Sequence, residues 1–273
     1  MSSRQYEFIR QYNEVHEILK DKLDKYIEGS GKNHVSFHDL ISILGQSKPK
    51  RELPFLSSFR TKLDLINNFR NTIIHRQTEE FYNIAEPSDL TMDILGEIID
   101  SIVKPISVSQ YFKENKRPKI VSVKPTDTLT DVMNKINSTG FSQFPVFDGQ
   151  QLVGIVTENG LTHFIASQVG AGKIDLETHD VAEVLEEFDA NAQAFIILNE
   201  NVPLYEVLNK MYYNIDKKES RYVLISKSKN EQHIKRDEMR GLFTNYDIPK
   251  LVQTLDSYNG AEKQSIEEGR EQK

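Results

Sequence analysis

Gly154-Ile155-Val156-Thr157-Glu158-Asn159-Gly160 and Gly241-Leu242-Phe243-Thr244-Asn245-Tyr246-Asp247 say nearly the same thing at two places in one chain. Each is a glycine, a short apolar strand closed by threonine, and the start of a helix, expected over Gly160 to Ala166 and over Tyr246 to Val252. A strand that runs into a helix N-terminus leaves backbone N–H groups without intrahelical partners, which suits an anion such as phosphate. Thr157 and Thr244 can add hydroxyls there. Asp247 falls in the first helical turn, where its carboxylate can accept two hydrogen bonds from a vicinal diol such as ribose. The first copy carries Gly160 at that place.

The match extends backward from both glycines. Leu129-Thr130-Asp131-Val132-Met133 answers to Leu204-Tyr205-Glu206-Val207-Leu208, and Phe144-Pro145-Val146-Phe147 answers to Tyr222-Val223-Leu224-Ile225. Helix, strand, strand, helix recurs, and a repeat of this kind decides the fold before any single element does. Each copy opens with a lead-in helix, Val108 to Phe112 and Val181 to Phe188, followed by a strand, Ile120 to Val123 and Phe195 to Leu198. Arg221, aligned with Gln143, precedes the second copy's inner strand, where it could reach a phosphate or stand as an exposed edge residue.

From Lys104 to Leu255 the chain resembles the tandem cystathionine-beta-synthase (CBS) domain pair, or Bateman module. The mark of the resemblance is glycine, two apolar residues, threonine, two residues, aspartate, complete in the second copy and lacking its aspartate in the first. The resemblance implies an adenosine-containing regulatory ligand: AMP, ADP, ATP, S-adenosylmethionine or a cyclic dinucleotide. It implies Thr244 and Thr157 at phosphate and Asp247 at ribose. The residues alone leave another reading open, in which both threonines simply cap the helices after them and Asp247 sits where carboxylates are favoured.

The chain has 273 residues, enough for two or three domains with cores of their own. Hydrophobic residues at 38% and charged residues at 27% read as globular. No run approaches a membrane span and the first residues lack the apolar stretch of a signal peptide, so the expected place is the cytoplasm, with no membrane partner. Cysteine is absent, which excludes disulfides and thiolate chemistry, and the seven histidines lack metal-site spacing, so no metal or required cofactor is expected. A net charge of −7 argues against non-specific binding to duplex DNA. Val169-Gly170-Ala171-Gly172-Lys173 has neither the spacing nor the hydroxyl of a P-loop and reads as a linker.

Ahead of the repeats the chain is helical by pattern. Gln5 to Ile27 places apolar residues at helical spacing, Ser36 and Asp39 form a capping box for a short helix ending at Gly45, Glu52 to His75 reads as a third helix, and a fourth begins at Ser88. The expected class is α+β multidomain: an all-α four-helix bundle over 1–103, a first CBS repeat over 104–168, a second over 169–256, and a disordered tail over 257–273.

Helix three also carries polar residues, with Asn71 and His75 on one face. Arg70-Asn71-Thr72-Ile73-Ile74-His75 resembles the Arg-Asn-x-x-x-His motif of HEPN domains, four-helix bundles that often act as metal-independent ribonucleases on paired protomers. The resemblance implies His75 as general acid or base, Arg70 on the phosphate, Asn71 as orienting group, an RNA substrate and a homodimer. Imidazole suits the task because its pKa lies near working pH, and guanidinium because it stays charged. The other reading has His75 stabilising a helix C-terminus and Arg70 in a surface ion pair. The expected function is a ligand-regulated ribonuclease; the alternative is a non-enzymatic sensor whose helices mediate dimerisation or partner binding.

Overall fold

The structure, a computed structural model, describes residues 1–28, 34–75, 85–116, 120–168, 175–187, 195–215, 222–228 and 233–256. The expected linker at Val169 to Lys173 and the tail from Ser257 lie outside the described residues. By contacts the chain forms two compact units. One holds Met1–Ser107, Pro203–Tyr213 and the helix at 248–256; the other holds Val108–Val202 and Asn214–Asp247.

In the first unit, α1 (Ser3–Lys22) starts from a reciprocal cap: the Ser2 hydroxyl accepts from the Gln5 N–H at 3.2 Å and the Gln5 amide oxygen accepts from the Ser2 N–H at 2.8 Å. The chain breaks at Leu23 before a single turn, α2 (Asp24–Ile27), so the expected helix from Gln5 to Ile27 is divided. The predicted Ser36–Asp39 capping box does start α3 (Phe37–Leu44). A short helix, α4 (Ser47–Glu52), comes before the expected helix from Glu52 to His75, which is itself divided into α5 (Pro54–Ser58) and α6 (Arg60–His75). Pro54 disfavours helical backbone at the residue before it, and Leu53 accordingly sits at φ −130 and ψ 55. The Ser88 hydroxyl caps α7 (Asp89–Ile98), which passes into a π-helical turn over Ile99–Val103. Phe8, Leu19, Leu63, Ile66, Leu95 and Ile98 are fully buried among these helices.

The same unit takes in most of α12 (Leu204–Ile215). The Leu204 N–H donates to the Ile106 carbonyl at 2.8 Å, and the Tyr205 ring stacks on Phe55 with centroids 4.7 Å apart and planes 6° from parallel.

The second unit holds both sheets. β1 (Gln143–Asp148) and β2 (Gln151–Thr157) pair antiparallel from Gln143 opposite Thr157. β3 (Phe195–Asn199) runs parallel to β4 (Tyr222–Ser226), which pairs antiparallel with β5 (Met239–Phe243). The two copies differ in one strand: where Ile120 to Val123 was expected, only Val123 bridges, parallel to Val146. Phe147, Ile155, Ile197, Leu224 and Met239 form one buried cluster drawn from both sheets.

The helices of this unit are α8 (Val108–Glu114), α9 (Leu129–Thr139), α10 (Glu158–Ser167) and α11 (Val181–Glu187). The lead-in helices exchange places. Val181 and Val184 of α11 are buried with Val132, Phe144, Val156 and Phe164 of the first copy, and the Val181 N–H donates to the Asp127 carbonyl at 3.1 Å. Conversely, the N–H groups of Val108 and Ser109 at the start of α8 donate to Val202 and Glu200 of the second copy, at 3.0 and 2.7 Å.

Candidate functional site

The glycines that open the two repeated stretches are what this exchange requires. An ideal Cβ on Gly241 would lie 2.4 Å from Cζ of Phe112 in α8, and one on Gly154 would lie 3.0 Å from Cδ2 of Leu185 in α11. Gly241 has no room for a side chain and Gly154 little, so the sheet presents bare backbone to the helix that crosses it.

The two strand-to-helix turns then diverge. In the first copy Thr157 is nearly inaccessible, and its hydroxyl accepts from the Gly160 N–H at 2.9 Å, a regular N-cap for α10. In the second copy a single 3-10 turn, Asn245–Asp247, precedes the helix at 248–256. There Asp247 Oδ2 accepts from the Thr244 N–H at 2.7 Å and from the Thr244 hydroxyl at 3.2 Å, while the Thr244 hydroxyl accepts from the Tyr246 N–H at 3.3 Å. Asp247 is therefore part of its own cap, with one carboxylate oxygen engaged and Oδ1 without a partner among the described residues. Its charge is felt nearby: burial pushes the Tyr111 phenol up, and the Asp247 carboxylate adds to that shift.

Thr244, Tyr246 and Asp247 line a cleft of 310 Å³. Leu242, Ile120, Val121 and Pro145 give it apolar walls, and the loop Gly140–Gln143 closes another side. Sequence reasoning reached Thr244 and Asp247 but not Phe141, Gln143 or Tyr246. The lining is mostly apolar with a few convergent polar groups, the usual make-up of a small-molecule site. Thr157 does not line this cleft. Arg221 lies outside the described residues.

The polar residues of α6 form a separate cluster. The Arg70 guanidinium donates to Asn71 Oδ1 at 3.2 Å and lies 5.8 Å from the centroid of the Tyr12 ring in α1. Its Nε is buried without a hydrogen-bond partner among the described residues. The Tyr12 hydroxyl donates to Asn67 Oδ1 at 2.8 Å, and burial pushes that phenol up to about 12. His75 ends α6 by its backbone, and its side chain lies outside what the structure describes. Among the described residues no group of three or more His, Asp or Glu could hold a metal ion, and no helix is long and apolar enough to cross a membrane.

Residues 110–167 match the model of the CBS domain family. No curated protein matches the chain. Among solved structures, it is similar to a protein with CBS domains from Burkholderia ambifaria MC40-6, with 18% identity, a TM-score of 0.39, and 55% of this chain and 93% of that one covered. It is also similar to a CBS-domain containing protein from Agrobacterium tumefaciens, with 15% identity, a TM-score of 0.38, and 53% and 96% covered. A third is the CBS domain of a bacterial CNNM/CorC family Mg2+ transporter solved in complex with ATP, with 14% identity, a TM-score of 0.35, and 60% and 94% covered.

Proposed function

We propose that the protein is a sensor of adenosine nucleotides, which it binds in the cleft of Thr244 and Asp247 and reports to its helical region. The observation that carries this reading is the Asp247 carboxylate: it is fixed by Thr244 through one oxygen, lines a cleft of 310 Å³, and has its second oxygen unpartnered among the described residues. A fixed acceptor beside an apolar wall suits a ribose diol with an attached base. Asp247 is also the last residue of its unit before the chain passes at Ile248 into the other. A ligand held there pulls on the first turn of the helix at 248–256, and it shifts the protein only by as much as it prefers one conformation over the other. Calorimetric titration with AMP and ATP tests the reading; a wild-type protein that binds neither overturns it.

A second reading adds an activity to the helical region. Arg70 and Asn71 are joined at 3.2 Å near the end of α6, and the backbone places His75 in the same last turns. This supports a metal-independent endoribonuclease, in which Arg70 holds a phosphate and His75 moves the proton of the ribose hydroxyl, completed in a homodimer. Cleavage of RNA by the wild-type protein in EDTA, lost in His75→Ala, is the expected result. Without such cleavage the helical region is a non-enzymatic partner or dimerisation module.

A further inference from the structure

Two helices of the first unit, α5 and α12, meet through the stacked rings of Phe55 and Tyr205, and the Phe55 N–H donates to Asn209 Oδ1 at 3.4 Å. The other polar groups of this contact go unserved. The Tyr205 hydroxyl, Asn209 Nδ2 and the Ser57 hydroxyl of α5 are all buried without a hydrogen-bond partner among the described residues. Tyr205 and Asn209 are 0% and 1% exposed, out of reach of bulk water. Buried polar groups are normally satisfied, and one left bare loses its hydration with nothing in return. Tyr12, in the same unit and also buried, shows the ordinary case: its hydroxyl donates to Asn67 Oδ1 at 2.8 Å. The contact is under-filled as well. A cleft of 380 Å³ is lined by Pro54 and Phe55 of α5, Leu208 and Tyr212 of α12, and Val252 and Leu255 of the helix at 248–256. Tyr205, Leu208, Asn209 and Tyr212 recur at the spacing of one helix face, so the bare groups and the open space belong to a single side of α12.

Resting on the nucleotide reading above, we propose that α12 is a loosely seated helix, docked on α5 at a standing penalty so that a ligand can change how firmly it sits. When α12 lifts away, water hydrates the groups that docking leaves bare, so each of them favours the lifted state by roughly 5- to 150-fold in the equilibrium ratio. Three such groups bring a packed helix within reach of a modest signal, since a ligand moves an equilibrium only by its difference in affinity for the two states. The helix at 248–256 follows directly on Asp247 and lines the cleft beside α12, so a ligand at Asp247 acts on the seat through that helix. A purely structural contact would be firmer with Tyr205→Phe and with Ser57→Ala.

Tyr205→Phe keeps the stack on Phe55 and removes only the bare hydroxyl. Hydrogen exchange of the α12 amides, measured without ligand, is expected to slow in that variant and in Ser57→Ala, by up to roughly 100-fold. The urea midpoint should rise in both, whereas Tyr12→Phe, the same change at a satisfied hydroxyl, should lower it. The chain contains no tryptophan, so Tyr212→Trp carries a single reporter in the cleft. Saturating AMP is expected to shift its emission, and to shift it less once Tyr205→Phe is added, because the seat is then held with or without ligand. Unchanged or faster exchange in Tyr205→Phe means that the hydroxyl is satisfied, and overturns the loose seat. Slower exchange with the AMP-induced shift in emission undiminished places the seat outside the signal, and overturns the relay. A wild-type protein that binds neither AMP nor ATP in calorimetry overturns the nucleotide reading and the relay with it, whereas the exchange rates, read without ligand, still decide the seat.

Discussion

Phe112 of α8 lies across Gly241 of β5 so closely that a Cβ on the glycine would stand 2.4 Å from Cζ of the ring. The same ring stacks on Phe243, two residues along the strand, at 5.5 Å and 7°. Residues two apart share a face of a strand, so glycine and phenylalanine together make the seat for one aromatic ring. Gly241→Ala is therefore expected to overpack this seat and lower stability by about 1–3 kcal/mol, read as a shift in the urea midpoint. Gly154→Ala meets only the flexible end of Leu185 at 3.0 Å and should cost less. Phe112→Leu in the Gly241→Ala background should recover part of the loss; no recovery would mean the clash lies elsewhere.

Asp247 serves both its own turn and, on the reading proposed, the ligand. Asp247→Ala removes the acceptor that holds the Thr244 N–H and should cost about 1 kcal/mol of stability as well as about 2–4 kcal/mol of AMP affinity, or roughly 30- to 1000-fold. Asp247→Asn keeps an acceptor for the turn but loses the charge, so it should melt like the wild type and bind AMP more weakly. Calorimetry and thermal melts on both variants separate the two roles; equal AMP binding by all three proteins would remove Asp247 from the site.

Tyr12 gives a pH signature. Its phenol is raised by burial to about 12, against an unfolded value of about 10. The folded state thus holds the proton more tightly, and the stability this contributes is complete below about pH 10 and is lost as pH rises toward 12. Tyr12→Phe should cost about 1–2 kcal/mol near neutrality, because Asn67 Oδ1 loses its donor. It should also flatten the fall in unfolding free energy between about pH 10 and 12 relative to the wild type. Parallel pH curves for the two proteins would contradict the assignment.

The passage from Asp247 to Ile248 is expected to carry the ligand signal. A Gly-Ser insert there should uncouple AMP binding from hydrogen-exchange protection in α6, while the same insert after Val103, which lies within the first unit, should leave the response in place. AMP affinity measured on each insert variant guards against damage to the site itself. If the insert after Val103 alone abolishes the response, the signal travels by the first junction instead.

Much of this was legible in the residues. Ser36 and Asp39 announce a capping box and form one, Ser88 caps the helix after it, and the stretches Gly154–Thr157 and Gly241–Phe243 are strand. The apolar periodicity through Leu56, Phe59 and Leu63 hid the break between α5 and α6, since all three residues stay buried on either side of it. Ile120 to Val123 has strand composition, but Val123 alone bridges to a neighbouring strand there, and ladder partners are a tertiary fact. The roles of Thr157 and Thr244 look alike in sequence. They part because Asp247 draws the Thr244 hydroxyl into its own turn, whereas Gly160 leaves Thr157 to cap a helix. Phe141 and Tyr246 carry no spacing signal, because the cleft that joins them is built from separate strands and loops.

The exchanged lead-in helices have a consequence for how this protein can be cut. The stretch matching the CBS family ends at residue 167, before α11, which supplies Val181 and Val184 to the first copy's core. A fragment stopping there would keep α8, whose first N–H groups are tied to Glu200 and Val202, and would lack the helix that covers its own sheet. Neither copy is a self-sufficient piece. They are interleaved along the chain like the two halves of a clasp, so duplication could lengthen this architecture only in pairs, and a truncation between the copies leaves two incomplete remnants rather than two smaller proteins.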